Sequence, residues 1–212
     1  MPVLPSILRL LLLFGIAHSL WAVDPATHVS QYAHTAWRTQ DCFFSGAPNA
    51  ITQTTDGYLW IGTPNGLYRF DGIRFTSFAP ADGKDPLNAV FSLLGATDGS
   101  LWIGTESYLA RLKEGVLNRF AEGRGRINAI VQDHGGAIWI TRSRPVDPNG
   151  PLCQVVGTKI LCKGTADGIT RLYAGPLAEY LTGNLWFGSA DILTRWKPGS
   201  SAAFASGRLE QG

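Results

Sequence analysis

Four arginines, Arg124, Arg126, Arg142 and Arg144, lie on two stretches rich in Gly, Pro and Asp, AEGRGR and TRSRPVDPNGP. A guanidinium offers a planar fork of donors that grips both oxygens of a carboxylate or sulfate. Such a cluster suits an acidic sugar. Loop charges are also common on any protein surface, and Glu122 and Asp147 stand beside these arginines, so solvated charge is the plainer reading. Four tryptophans recur in near-identical settings: Trp60 in GYLWIGT, Trp102 in GSLWIGT, Trp139 in GAIWITR and Trp186 in GNLWFGS. Indoles stack on sugars, but a strict place in a repeat points to packing between repeats. Trp37 and Trp196 fall outside that register, which leaves them freer to be exposed.

Other chemistry is sparse. There is no Gly-x-Ser-x-Gly elbow, no His-Glu-x-x-His and no phosphate loop. His28 and His34 lie near the N-terminus, and His134 sits in the turn DHGGA, where a solvated turn residue is expected. Asp56-Gly57 and Asp98-Gly99 lack the alternating oxygen ligands of a calcium loop. Neither a metal nor a cofactor is implied. Cys153 and Cys162 bracket CQVVGTKILC. If Gly157-Thr158 is a two-residue turn, Cys153 faces Cys162 directly across a hairpin, within disulfide reach. Cys42 is left without a partner.

These residues must be positioned by short, repeated strands. The repeat tryptophans are 42, 37 and 47 residues apart, and Asn49, Asn88 and Asn128 open a second recurring motif, Asn-Ala-Ile or Asn-Ala-Val. A period near 40 with several strands per unit marks a β-propeller or a related array. In the first unit NAITQTT, YLWIGT, LYRF and IRFTSF read as four antiparallel strands, turned by Asp56-Gly57, PNG and Asp71-Gly72. The expected blades are about 49–79, 88–121, 127–164 and 168–206. In the fourth, Pro176 interrupts the first strand.

The N-terminus has one positive charge at Arg9, an apolar run from Leu10 to Ile16 and then small residues. That is the layout of a signal peptide cleaved after Ala22, and the run is too short to span a bilayer. Export is compatible with a disulfide. Net charge is +2 with no basic block, which argues against nucleic acid, and no later stretch is long enough to cross a membrane.

DGYLWIGTPNGLYRFDGIRF resembles the two-component regulator propeller repeat, and QYAHTAWRTQDCFFSGAPNAI resembles the start of the periplasmic sensor region of bacterial hybrid histidine kinases. The resemblance runs from about Val29 to Pro198. One departure is Asp41-Cys42, where the family has Asp-Gly. The resemblance implies an exported propeller that binds a periplasmic signal, often a glycan fragment, and relays it through a kinase by phosphotransfer. It also implies a ring of seven blades. The chain then reads as about four blades of a larger propeller, with no kinase core and no enzymatic activity of its own. Residues 23–48 would supply an outer strand for a last blade that this chain lacks, and open blade edges would favour self-association. A protein-interaction scaffold and a propeller lyase are the competing readings.

Overall fold

The computed structural model describes residues 36–37, 44–80, 87, 89–120, 125–143, 150–171, 173–180 and 183–205. The chain divides into Met1–Ala36 and Trp37–Gly212, and the sheets among the described residues lie in the second unit. The signal-like residues 1–22, His28, His34, Cys42, Arg124 and Arg144 lie outside the described residues.

Four four-stranded antiparallel sheets follow one another along the chain. Blade 1 contains β1 Ala50–Gln53, β2 Leu59–Thr63, β3 Gly66–Phe70 and β4 Phe75–Phe78. Blade 2 contains β5 Val90–Gly95, β6 Leu101–Thr105, β7 Leu109–Lys113 and β8 Val116–Phe120. Blade 3 contains β9 Ile127–Gln132, β10 Ile138–Arg142, β11 Leu152–Val156 and β12 Lys159–Lys163. Blade 4 contains β13 Leu177–Tyr180, β14 Asn184–Ser189, β15 Ile192–Lys197 and β16 Ser200–Ala205. Aspartates hold the turns between the first two strands of blades 1 to 3. Asp98 accepts from the Ser100 amide at 3.0 Å, and Asp133 accepts from the Ala137 amide at 2.8 Å.

The first strands are innermost: β1 packs on β5, β5 on β9 and β9 on β13, with no comparable packing of β13 on β1. Two of the recurring asparagines, Asn49 and Asn128, span junctions. Asn49 Nδ2 donates to Val90 O at 2.9 Å, and Asn128 Nδ2 donates to Ala174 O at 2.6 Å. Successive side chains in a strand point to opposite faces. The face bearing the repeat tryptophan, here termed the front, meets the back of the next blade. Trp60, Trp102 and Trp139 are 6%, 5% and 6% exposed. Trp60 clusters with Val90, Leu101 and Ile103 of blade 2, Trp102 with Ile127, Ile130 and Ile140 of blade 3, and Trp139 with Leu177, Phe187 and Trp196 of blade 4. Each such buried side chain contributes roughly 1.5–3 kcal/mol by transfer from water. Gly62 and Gly104 make the close approach possible. A Cβ at Gly62 would stand 2.4 Å from Val90 Cγ1, and one at Gly104 would stand 2.8 Å from Ile127 Cβ.

The hairpin β11–β12 has Cys153 opposite Cys162, turning at Gly157-Thr158, and the two sulfurs are joined in a disulfide.

Four features differ from the sequence reading. Blade 4 begins at Leu177, directly after Pro176; a 3-10 turn at Thr165–Asp167 starts the link before it. Trp196 is 3% exposed rather than free, because its register places it on the back of blade 4 against Trp139, with ring centroids 5.4 Å apart. Trp186 is only partly buried; its ring stacks on Phe204 of its own blade at 5.7 Å. Trp37, expected in an outer strand for a blade that the chain lacks, packs edge-on against Phe70 and Phe75 at 5.1 and 5.8 Å, on the back of blade 1. Phe44 joins it there against Phe75 at 5.4 Å. Residues 38–43, which link the two, lie outside the described residues.

Candidate functional site

A cleft of about 710 Å³ lies at the junction of blades 3 and 4. Trp139 on β10 and Gln154 on β11 are direct cross-strand partners, so both project from the front of blade 3. Trp196 approaches from blade 4. The link between the blades supplies Asp167, and the hairpin joining β15 to β16 supplies Ser200 and Ser201.

The site's hydrogen bonds set what it can offer. Trp139 Nε1 donates to Asp133 Oδ2 at 2.8 Å, and Trp196 Nε1 donates to Asp167 O at 3.1 Å. Both indole N–H groups are therefore used internally, and the two rings give apolar surface to the floor. Lys163 Nζ lies 3.4 Å from Asp167 Oδ1. Asp167 Oδ2 accepts from the Gly164 amide at 3.1 Å, which closes the turn. Ser201 Oγ donates to Gly168 O at 3.0 Å. The result is an apolar floor rimmed by an amide, an ammonium, a carboxylate and hydroxyls. Mixed donors and acceptors around a small apolar surface suit a ligand with both hydroxyl groups and C–H faces.

An equivalent but smaller cleft of about 300 Å³ lies at the junction of blades 2 and 3, lined by Trp102, Asp98, Arg111 and Gln132 among others. Here Arg111 takes the register position of Gln154. Asp98 holds Arg111 at 2.5 Å and Lys113 at 3.2 Å. The Ser100 hydroxyl, then the Ser100 amide, Lys113 and Arg111, keep the Asp98 carboxyl well below the usual carboxylate range. The ion pairs occupy the space that is open at the next junction.

Arg126 and Arg142 do not share an open surface. Arg126 is exposed, with its guanidinium 3.7 Å from the centre of the Phe91 ring. Arg142 is not a loop residue: it ends β10 and is 2% exposed. Its Nε and Nη2 lie 3.4 and 3.5 Å from Gly150 O. His134 is more than a solvated turn residue. Its Nδ1 lies 2.6 Å from Glu179 Oε1, and its amide donates to Glu179 Oε2 at 2.7 Å. This clamp ties the first turn of blade 3 to β13. The Gly183 amide first, and then the His134 ring, lower the Glu179 carboxyl below its ordinary value. The sequence reading missed Gln154, Lys163, Asp167 and Ser201. Of the residues singled out in the sequence, Trp139 and Trp196 line this cleft.

The sequence pattern of a known family, the two component regulator propeller, matches residues 43–65. No curated protein matches the chain. Among solved structures, the extracellular domain assigned to a hybrid two component system from B. thetaiotaomicron superposes with a TM-score of 0.60 at 16% identity, over 73% of this chain and 22% of that one. The extracellular domain assigned to a one component system from the same organism gives a TM-score of 0.58 at 19% identity, over 76% and 25%. A catalytically inactive virginiamycin B lyase from Staphylococcus aureus, crystallised with quinupristin, also gives 0.58 at 18% identity, over 78% and 57%. The chain thus spans about a quarter of the length of the two sensor domains and just over half of the lyase. At these identities the likeness is one of fold. Residues 43–65 thus carry a two component regulator propeller repeat, set in a chain whose four sheets have the β-propeller fold.

Proposed function

We propose that this chain is the ligand-sensing part of an exported two-component sensor, and that it holds an oligosaccharide in the cleft between blades 3 and 4. The observation that carries the reading is the composition of that cleft: indole carbon at the floor, with Gln154, Lys163, Asp167 and Ser201 at the rim. The signal-like N-terminus supports placement in the periplasm. The matched repeat supports signalling as the context. Binding, rather than catalysis, fits the cleft, because Asp167 is engaged by Lys163 and the Gly164 amide. The Lys163 ammonium, paired on one side with Asp167, turns its remaining donors to a uronic or sulfated residue as well as a neutral one.

Calorimetric titration against neutral, uronic and sulfated oligosaccharides tests this. At least one class is expected to bind. Lys163→Ala and Gln154→Ala are expected to weaken that binding about ten-fold or more, the scale of one lost charge-assisted hydrogen bond. Arg126→Ala is expected to leave it unchanged. Loss of binding in Arg126→Ala with full binding in Lys163→Ala would move the site to the arginine-bearing corner and overturn the assignment.

A further inference from the structure

Each junction has an outer layer built from equivalent positions of two blades. On the front, Phe78 and Phe120 lie opposite Leu67 and Leu109. Each phenyl ring packs on the tryptophan of its own blade, 5.7 Å from Trp60 and 5.4 Å from Trp102. From the back of the next blade, Leu112 and Leu117 join the cluster of Phe78, and Val155 and Ile160 join that of Phe120. Directly across from the tryptophan stands an arginine: Arg69 in blade 1, Arg111 in blade 2 and Arg195 in blade 4. The guanidiniums of Arg111 and Arg195 lie over the indoles, 5.4 and 5.9 Å from the ring centres.

The junction of blades 3 and 4 departs at all of these places together. Lys163 stands where Phe78 and Phe120 stand. Gln154 stands where the arginines stand. Across the junction, Trp196 takes the place of Leu112 and Val155, and Ser201 that of Leu117 and Ile160. Trp196 covers Trp139, and the layer outside the two indoles, filled at the other junctions by phenyl and aliphatic groups, is the cleft. Emptying a core layer forfeits packing, and a ligand seated in it restores that packing. The exchange also moves the cation. In blade 2 the charge lies over the indole; in blade 3 an uncharged amide takes that place and the ammonium stands on the outer strand.

We infer that this layer takes a six-membered ring bearing an anionic group. The ring occupies the place of the repeat phenylalanine, on the Trp139–Trp196 floor, and the anion pairs with Lys163. Asp167 opposes it little, because its Oδ2 accepts from the Gly164 amide and its Oδ1 faces Lys163. A uronic sugar and an aromatic acid share this chemistry; the first rests on the sugar reading above, and the second does not.

The full chain is titrated by calorimetry near neutral pH with neutral oligosaccharides, with each one's counterpart oxidised to a carboxylate at C6, and with benzoate. An oxidised sugar is expected to bind about ten-fold or more tighter than its neutral parent, and Lys163→Gln is expected to abolish that preference. Gln154→Arg together with Lys163→Phe reinstates the repeat pair. This double variant is expected to bind no probe and to unfold in urea at a midpoint no lower than that of the wild type. Benzoate bound through Lys163, with no sugar bound, supports the anionic ring and removes the sugar. Neutral sugars bound as tightly as their acids leave the sugar reading standing and overturn this one. Failure of every acid to bind overturns it too. So does a double variant that keeps its binding or unfolds at lower urea, since the cleft is then not the layer that the repeat pair fills.

Discussion

The repeat glycines give the sharpest test of the packing account. Gly62, Gly104 and Gly188 occupy one position in the second strand of blades 1, 2 and 4. A methyl group added at Gly104 would stand 2.1 Å from Ser92 Oγ and 2.8 Å from both Ile127 Cβ and Cγ2. Ser92 cannot simply rotate away, because its Oγ donates to Ile127 O at 3.0 Å. Ile127 is 0% exposed and β-branched, so it has few alternative rotamers. Overpacking of this kind costs about 1–3 kcal/mol, and the rigid neighbours put Gly104→Ala near the upper end. Gly62→Ala meets Val90 Cγ1 at 2.4 Å and should cost about as much. Gly188→Ala meets Pro176 at 3.9 Å, an ordinary contact. Replacing a strand glycine by alanine gains roughly 0.5–1 kcal/mol from reduced chain entropy, so this variant should be neutral or slightly stabilised as a monomer. Urea unfolding at low protein concentration reads the difference. With a slope of about 1–3 kcal/mol/M, Gly104→Ala should lower the midpoint by roughly 1 M or more. If Gly104→Ala and Gly188→Ala unfold at the same midpoint, the inter-blade role of this glycine is wrong.

Reducing the Cys153–Cys162 disulfide should destabilise the oxidised protein by about 2–3 kcal/mol, the loop-closure value for a short loop; denaturant titration with and without reductant measures it. The Asp98 and Glu179 carboxyls are held below their ordinary values of 3.8 and 4.5. A depressed folded-state value gives stability that is full above the ordinary value and is lost as pH falls through the folded one. Acid should therefore destabilise the fold from about pH 4.5 downward, and Asp98→Asn should flatten that decline; an unchanged slope would show that the Ser100 and Arg111 contacts contribute little. Glu179→Ala removes the partner of His134 and should increase hydrogen exchange in the turn at 133–136 with little effect on the first two blades.

Much of the fold could be read because its signals are local. Asp-Gly turns and the alternating faces of LWIGT fix strand pairs within about ten residues of one another, and the Gly157-Thr158 turn fixes the register that joins Cys153 to Cys162. The blade 4 boundary was misplaced because Asp167-Gly168, which looks like the strand turns elsewhere, closes a 3-10 turn, and the link runs on to Pro176 before β13 begins. Trp196 was judged by its distance from the repeat tryptophans. Its third-strand position matches Phe70, Leu112 and Val155, and alignment on that strand would have shown it facing blade 3. Arg142 looked like a loop charge because its neighbours are polar; its burial comes from the approach of Gly150 and blade 4. Apart from Trp139 and Trp196, the cleft had no sequence signature. Its walls come from β10, β11, the 3-10 turn and the β15–β16 hairpin, which only the stacking of two blades brings together.

Hydrogen exchange with and without the tightest-binding oligosaccharide tests the central claim most directly, because it locates the ligand without presuming the site. Ligand at saturating concentration should slow exchange in 163–168 and 198–201, the two segments that close the cleft between blades 3 and 4. Protection confined to 125–127 and 141–143, with those two segments unchanged, would contradict the account and place the ligand at the arginine-bearing corner.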